Sequence, residues 1–130
     1  KAGTAVPQMV MNIDVAPTVL DVAGAKPPAG THGRSFAPLL KGETAGWRTA
    51  ILTEYFLEPN YPRTPTWHAV RTEKWKYIRY DGHPEWDELY DLTGDAAEMT
   101  NRVRDEAARP VLKELKAELA RLLKETGGGE

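Results

Sequence analysis

Val15, Val19 and Val22 recur at spacings of four and three, with Leu20 beside them, between Asp14 and Gly24. That period puts the valines on one face of a helix, so the pattern predicts a short amphipathic helix over 14–23. Asp14 fits its N-cap, Pro17 fits a first turn whose amides lack partners anyway, and Gly24 followed by Pro27 and Pro28 stops it. Ahead of it, Val6, Met9, Val10 and Met11 make residues 1–12 apolar enough to read as a strand. Behind it, the glycines and prolines of 24–34 read as a loop. Ser35 then caps a short helix over 36–40, closed by Gly42.

The pattern changes at residue 49. Residues 49–57 are free of Gly and Pro and mix β-branched with aromatic side chains, which predicts a strand. Pro59, Pro62 and Pro65 make 58–66 a loop. Residues 67–72 and 75–80 form the arms of a hairpin joined by Glu73 and Lys74. In the second arm Trp75, Tyr77 and Arg79 share one face, and Lys76, Ile78 and Tyr80 the other. Neither face is purely polar, as expected of a sheet covered on one side and partly contacted on the other. Residues 81–84 turn the chain into a short fourth strand over 87–92. From Pro110 onward Leu112, Leu115, Leu119 and Leu122 recur at spacings of three, four and three, opposite Lys113, Glu114, Lys116, Glu118 and Arg121. This is an amphipathic helix, ended by Gly127, Gly128 and Gly129. The fold class is therefore α+β: a small four-stranded antiparallel sheet packed with a C-terminal amphipathic helix and preceded by a short helix.

Composition narrows the chemistry. The 130 residues carry 17 basic and 19 acidic side chains, a net charge of −2, which gives no electrostatic footprint for nucleic acid or an anionic membrane. No apolar run approaches the roughly 20 residues of a membrane helix. There is no cysteine, hence no thiolate nucleophile or cysteine-based zinc site. His32, His68 and His83 lack metal-ligand spacing, so no metal is expected on these residues. Gly24, Gly30 and Gly33 follow no strand and do not form a phosphate loop. Glu85, Asp87, Glu88 and Asp91 read as a solvated acidic edge. The most chemically loaded stretch is the hairpin, where His68, Arg71, Lys74, Lys76 and Arg79 interleave with Trp67, Trp75, Tyr77 and Tyr80. Cations beside aromatics suit a sulfate, a phosphate or a sugar ring, but equally a plain sheet with its cations in water. For Arg71 the plain alternative is an ion pair with Glu54 on the neighbouring strand.

Four segments carry a family resemblance. Residues 12–24 (NIDVAPTVLDVAG) resemble the D-x-x-P-T-x-L-x-x-A-G segment of type I, formylglycine-dependent sulfatases, and residues 33–42 (GRSFAPLLKG) the G-x-S-x-x-P-L-L-x-G that follows it. Glu54-Tyr55 with residues 69–78 (AVRTEKWKYI) resembles E-Y and V-R-T-x-x-Y-K-Y-I, with Trp75 where tyrosine is usual. Residues 88–101 (ELYDLTGDAAEMTN) resemble E-L-Y-D-L-x-x-D-P-x-E-x-x-N, with Ala96 for the proline. The segments occur in the family's order and belong to its C-terminal part, of the N-acetylglucosamine-6-sulfatase or arylsulfatase kind.

The resemblance implies a division in which 1–45 close the large α/β domain and 46–130 form the C-terminal sheet-and-helix subdomain. It implies a parent that hydrolyses sulfate esters of carbohydrates or aryl alcohols, using formylglycine and calcium. It also implies an N-terminal catalytic domain in the same chain as partner, and export to the periplasm or beyond. The family's nucleophile motif, C/S-x-P-x-R, is absent: the only serine, Ser35, is followed by Phe36-Ala37-Pro38. These residues are therefore expected to be non-catalytic alone, holding no cofactor, with His68 and more weakly Arg71 and Lys76 lining the substrate cleft. Asp14, Asp91 and Asn101 are expected to cap local backbone. Without the large domain, the first helix and Met9-Val10-Met11 are expected to favour a dimer. Two other readings stay open. One is a free-standing module for sulfated carbohydrate or another anion. The other is part of a phosphonate or phosphate monoester hydrolase.

Overall fold

A computed structural model describes residues 2–127. The chain divides into two compact units, with the boundary between Thr49 and Ala50. In the first, a single 3-10 turn at Asn12–Asp14 leads into helix α1 (Val15–Val22), and a loop connects to the four-residue helix α2 (Ala37–Leu40). Residues 2–11 form no strand. Their apolar side chains have no neighbouring strand to pair with, so turns and extended backbone replace the expected element. The expected terminal Gly128 and Gly129 lie outside the described residues.

The second unit is a meander of four antiparallel strands in the order β1 (Ala50–Tyr55), β2 (Trp67–Thr72), β3 (Trp75–Tyr80) and β4 (Glu88–Asp91), followed by helix α3 (Arg109–Thr126). The register sets Val70 opposite Leu52 and Tyr77, and Tyr77 opposite Leu89, so the alternation brings these side chains to one face. There Ala50, Val70, Tyr77 and Leu89 meet Leu115, Leu119 and Leu123 of α3. The buried stripe thus advances by four residues at a time. Leu123 is buried where the spacing pointed to Leu122, which sits at its margin. Pro110 stands in the first turn of α3, and Gly127 closes it at φ 70°, in the left-handed region.

The motif-rich turn after β4 is a set of local backbone anchors. Asp91 accepts from the amides of Thr93 (3.0 Å) and Gly94 (3.4 Å), and Asp95 from Thr100 (2.7 Å). Asn101 accepts from Leu89 and Val103, both at 3.0 Å, and donates to the Asp87 carbonyl at 3.1 Å. Glu98 holds a left-handed backbone at φ 56°, and its carboxylate receives Lys76 Nζ at 2.5 Å. Glu88 accepts from both Tyr80 (3.0 Å) and Tyr90 (2.7 Å). Burial, the hydrogen bond to Glu88 and its negative charge together push the Tyr80 hydroxyl up to about 12. A raised folded value means stability that is intact below about 10 and lost as pH rises through about 12. Glu88→Gln is expected to lower the Tyr80 titration by about one unit, and with it the onset of alkaline unfolding. Tyrosinate absorbance against pH measures both; an unmoved titration contradicts the assignment.

Candidate functional site

A polar node stands out in each unit. In the first, Asp14 is fully buried. Its side chain makes no hydrogen bond at the N-terminus of α1, so it does not cap that helix as the sequence suggested. The carboxylate turns instead to the chain around it. It accepts from the amides of Met11 (2.7 Å) and Arg34 (2.8 Å) and from both terminal nitrogens of the Arg48 guanidinium. Burial pushes this carboxyl up, but the Arg48, Arg34 and Met11 hydrogen bonds and the Arg48 charge outweigh it and hold it below the ordinary value. The neighbouring contacts have the same character. Thr18 Oγ1 donates to the Asp14 carbonyl (2.6 Å) and accepts from the Phe36 amide (3.0 Å); Ser35 Oγ donates to Asp21 (2.6 Å). Gly33 lies against Ile13 so closely that a Cβ there would stand 1.9 Å from the Ile13 carbonyl oxygen. Residues 33–36 and 13–21 thus form one interlocked structure. Arg48, which carries no motif letter, completes it.

In the second unit, the register puts His68 opposite Glu54 on β1 and Arg79 on β3, all on the helix-side face. His68 is 2% exposed. Its Nδ1 is 3.0 Å from Glu54 and its Nε2 3.2 Å from Asp81, which also pairs with Arg79 at 3.3 Å. The edge of the His68 ring relation to Phe56 is perpendicular, with centroids 6.1 Å apart. On the opposite face Tyr55 stacks on Trp67, and the Leu57 amide donates to Thr66 Oγ1 at 3.0 Å. These contacts close the neck of the loop over 56–66, whose Phe56, Leu57 and Tyr61 are exposed. A cleft of about 450 Å³ adjoins the row, lined among others by Arg79, Asp81, Asp87 and Lys116. Its carboxylates are engaged. Asp87 is buried and accepts from Tyr77 Oη (2.6 Å) and the Tyr80 amide (3.1 Å), so it is not part of a solvated acidic edge.

Arg71 and Lys76 face each other across β2 and β3, on the sheet face opposite His68. Lys76 is held by Glu98 and lies 6.0 Å from the Tyr90 ring centre. Arg71 does not pair with Glu54. It stands opposite Ile51, and Glu54, three residues further on, points to the other face. Arg71 is exposed and forms no ion pair among the described residues. The three sequence-predicted residues are therefore divided between two faces. Glu54 and Asp81, the partners that fix His68, became visible only through the strand register.

Ser35, the only serine, donates its hydroxyl to Asp21, and no group of three or more potential metal ligands occurs among the described residues.

Comparison with known proteins places these features in a family. Residues 1–125 match the family described as N-sulphoglucosamine sulphohydrolase, C-terminal. An N-acetylglucosamine-6-O-sulfatase of Bacteroides thetaiotaomicron is 37% identical over 105 residues, a match covering 78% of this chain and 19% of that protein. A solved structure of a protein in complex with its substrate D-glucosamine-2-N,6-O-disulfate superposes with a TM-score of 0.81 at 32% identity, over 90% of this chain and 24% of the other. A phosphonate monoester hydrolase from Silicibacter pomeroyi superposes with a TM-score of 0.81 at 26% identity, over 97% of this chain and 27% of the other. The chain thus spans about a fifth to a quarter of the length of these relatives.

Proposed function

Because this chain belongs to the family of sulfatase C-terminal regions matched over residues 1–125, we propose that it is the C-terminal portion of a sulfuric ester hydrolase and shapes the substrate cleft without performing the chemistry. The observation that carries this reading is the family match over residues 1–125. Of the motif residues, Asp14, Ser35, Glu88, Asp91, Glu98 and Asn101 bind backbone or neighbouring side chains, as a structural segment requires. The formylglycine and calcium of the parent belong to the catalytic domain that precedes these residues. In this reading residues 1–45 close that domain and 46–130 form the accessory subdomain, in keeping with the division into two compact units at Thr49 and Ala50. The substrate is a sulfated carbohydrate or an aryl sulfate.

His68 acts in this reading as a positioning residue. At 2% exposure it offers no surface to a ligand. By holding Glu54 and Asp81 together it fixes the ends of β1 and β3 and thereby the exposed 56–66 loop, which walls the leaving-group side of the cleft. Arg71, exposed on the other face, is the cation that meets an anionic group of a larger substrate, with Lys76 held back by Glu98. The test is kinetic, in the complete enzyme. His68→Asn is expected to raise KM for a sulfate ester about tenfold with kcat within about twofold, the signature of lost binding. A lowered kcat at unchanged KM contradicts the cleft-wall role.

The likeness to a phosphonate monoester hydrolase supports a second reading, in which the parent cleaves phosphonate or phosphate monoesters. Parallel turnover of an aryl sulfate and an aryl phosphonate by the complete enzyme separates the two.

A further inference from the structure

The His68 ring meets an acceptor at each of its nitrogens. Nδ1 is 3.0 Å from a Glu54 oxygen and Nε2 is 3.2 Å from an Asp81 oxygen, both within hydrogen-bond reach. An ionised carboxylate only accepts, and a neutral imidazole has one N–H to donate. A neutral ring therefore makes one of these bonds and sets a bare lone pair against a carboxylate oxygen at the other. Both bonds form together only when the site holds one more proton. At 2% exposure the ring cannot turn to solvent for a different partner.

Charge points the same way. Around the ring stand Glu54 from β1, Asp81 from the turn after β3, and Arg79 of β3, which pairs with Asp81. Helix α3 covers this face and brings Lys116 to the cleft beside Asp81. The turn before β4 brings Asp87 to the same cleft, held by Tyr77 and the Tyr80 amide, and Lys116 offsets its charge. With a neutral ring, Glu54, His68, Arg79 and Asp81 carry one uncompensated negative charge. With an imidazolium they are balanced. An imidazole is a stronger base than a carboxylate, so the ring is where the extra proton sits.

The clamp acts on one piece of chain. Glu54 stands just ahead of the 56–66 loop, and the Asp81 amide donates to the carbonyl of Thr66 at its far end (2.9 Å). Phe56, the first residue of the loop, sets its ring perpendicular to that of His68. One ring thus ties both ends of the loop. We infer that His68 is a proton-operated latch on the 56–66 loop: the imidazolium bonds Glu54 and Asp81 at once and closes it, and loss of one proton releases one end. The inference deepens the reading of this loop as a wall of the substrate cleft, and rests on it. Because the closed latch binds the proton, it is made at acidic pH. It opens as pH rises through the range of about 5 to 8 in which imidazoles change charge. Substrate binding weakens in the same direction.

Two measurements test the latch. Long-range 1H–15N NMR of the 130-residue chain counts the protons on the His68 ring. At about pH 6 both nitrogens are expected to be protonated. Asp81→Asn replaces a pure acceptor by an amide that can donate to a bare Nε2, so at the same pH its His68 is expected to hold one proton, on Nδ1. The second measurement is KM for a sulfate ester in the complete enzyme. The ratio of KM in His68→Asn to KM in the parent is expected to be about tenfold at about pH 6 and within about twofold at about pH 8. Asp81→Asn, latched without the extra proton, is expected to hold its KM within about twofold across that range. A parent ring with a single proton at about pH 6 overturns the inference, and so does a tenfold ratio that stays the same at every pH. Either result leaves the cleft-wall reading standing. A doubly protonated ring whose replacement by asparagine leaves KM unchanged at every pH defeats the cleft-wall reading first, and the latch with it.

Discussion

Tyr77→Ala is expected to destabilise the second unit by about 3–5 kcal/mol, the range for emptying an aromatic site in a packed core. Tyr77 is 1% exposed at the centre of the sheet face that α3 covers, among Val70, Leu89 and Leu119. The ring also lies under Lys116 Nζ, 5.5 Å from its centre. A second loss adds to the cavity. The Tyr77 hydroxyl is one of two donors to the buried Asp87 carboxylate, and the other is the Tyr80 amide. Tyr77→Phe separates the contributions. It keeps the ring and removes the donor, so about 1–3 kcal/mol is expected, the cost of a buried polar group left short of a partner. Burial, the Asp87 hydrogen bond and the Asp87 charge all hold the Tyr77 hydroxyl protonated well above its ordinary value, so the phenylalanine variant should match its parent in pH dependence through neutrality. Urea unfolding followed by tryptophan fluorescence gives both numbers. Equal effects of the two substitutions would mean that the hydrogen bond, not the packing, dominates the site.

Asp14→Ala is expected to unfold the first unit, with a cost again of about 3–5 kcal/mol. The substitution strands the Arg48 guanidinium and frees the amides of Met11 and Arg34 in one step. A unit of this size has too small a core to absorb that loss. The direction of the pH dependence follows from the depressed folded value of Asp14. Its contribution is present above the ordinary carboxyl value of about 3.9 and lost as pH falls through the lower folded one. Asp14→Asn should therefore flatten the acid limb of stability as well as lower its plateau. Hydrogen exchange at the Arg34 and Phe36 amides reads the first unit alone. Protection retained in Asp14→Ala would show that Asp14 is not its anchor.

Most of the second unit was legible in the sequence because its elements are encoded locally. Strands β2 and β3 begin and end where the alternation places them, and the α3 leucines give a helical period no strand can use. The first unit was less legible. Its helix follows from the valine spacing, but the spacing does not say what covers the valine face, which is exposed among the described residues. Periodicity tells which residues share a face, not whether a partner is present to cover it. Asp14 shows a related limit. Its place before a helix suggests a cap, and it does take the Met11 amide of the preceding turn, but its other partners lie 20 and 34 residues away in Arg34 and Arg48. The His68 clamp depends on register. Glu54 stands out in sequence only as a motif letter and as a partner offered to Arg71, Asp81 not at all, and both meet the ring only once β1, β2 and β3 are aligned. The sulfatase motifs, by contrast, were readable as motifs, and the structure supplies their physical content: turns, locks and core positions.

The most direct test of the central claim is to read the coding sequence ahead of Lys1. A sulfatase C-terminal portion requires a C/S-x-P-x-R nucleophile motif upstream in the same reading frame, together with paired aspartates for the calcium ion. A reading frame that opens near Lys1, or an upstream region without that motif, would contradict the account and leave a module whose ligand must be found by binding.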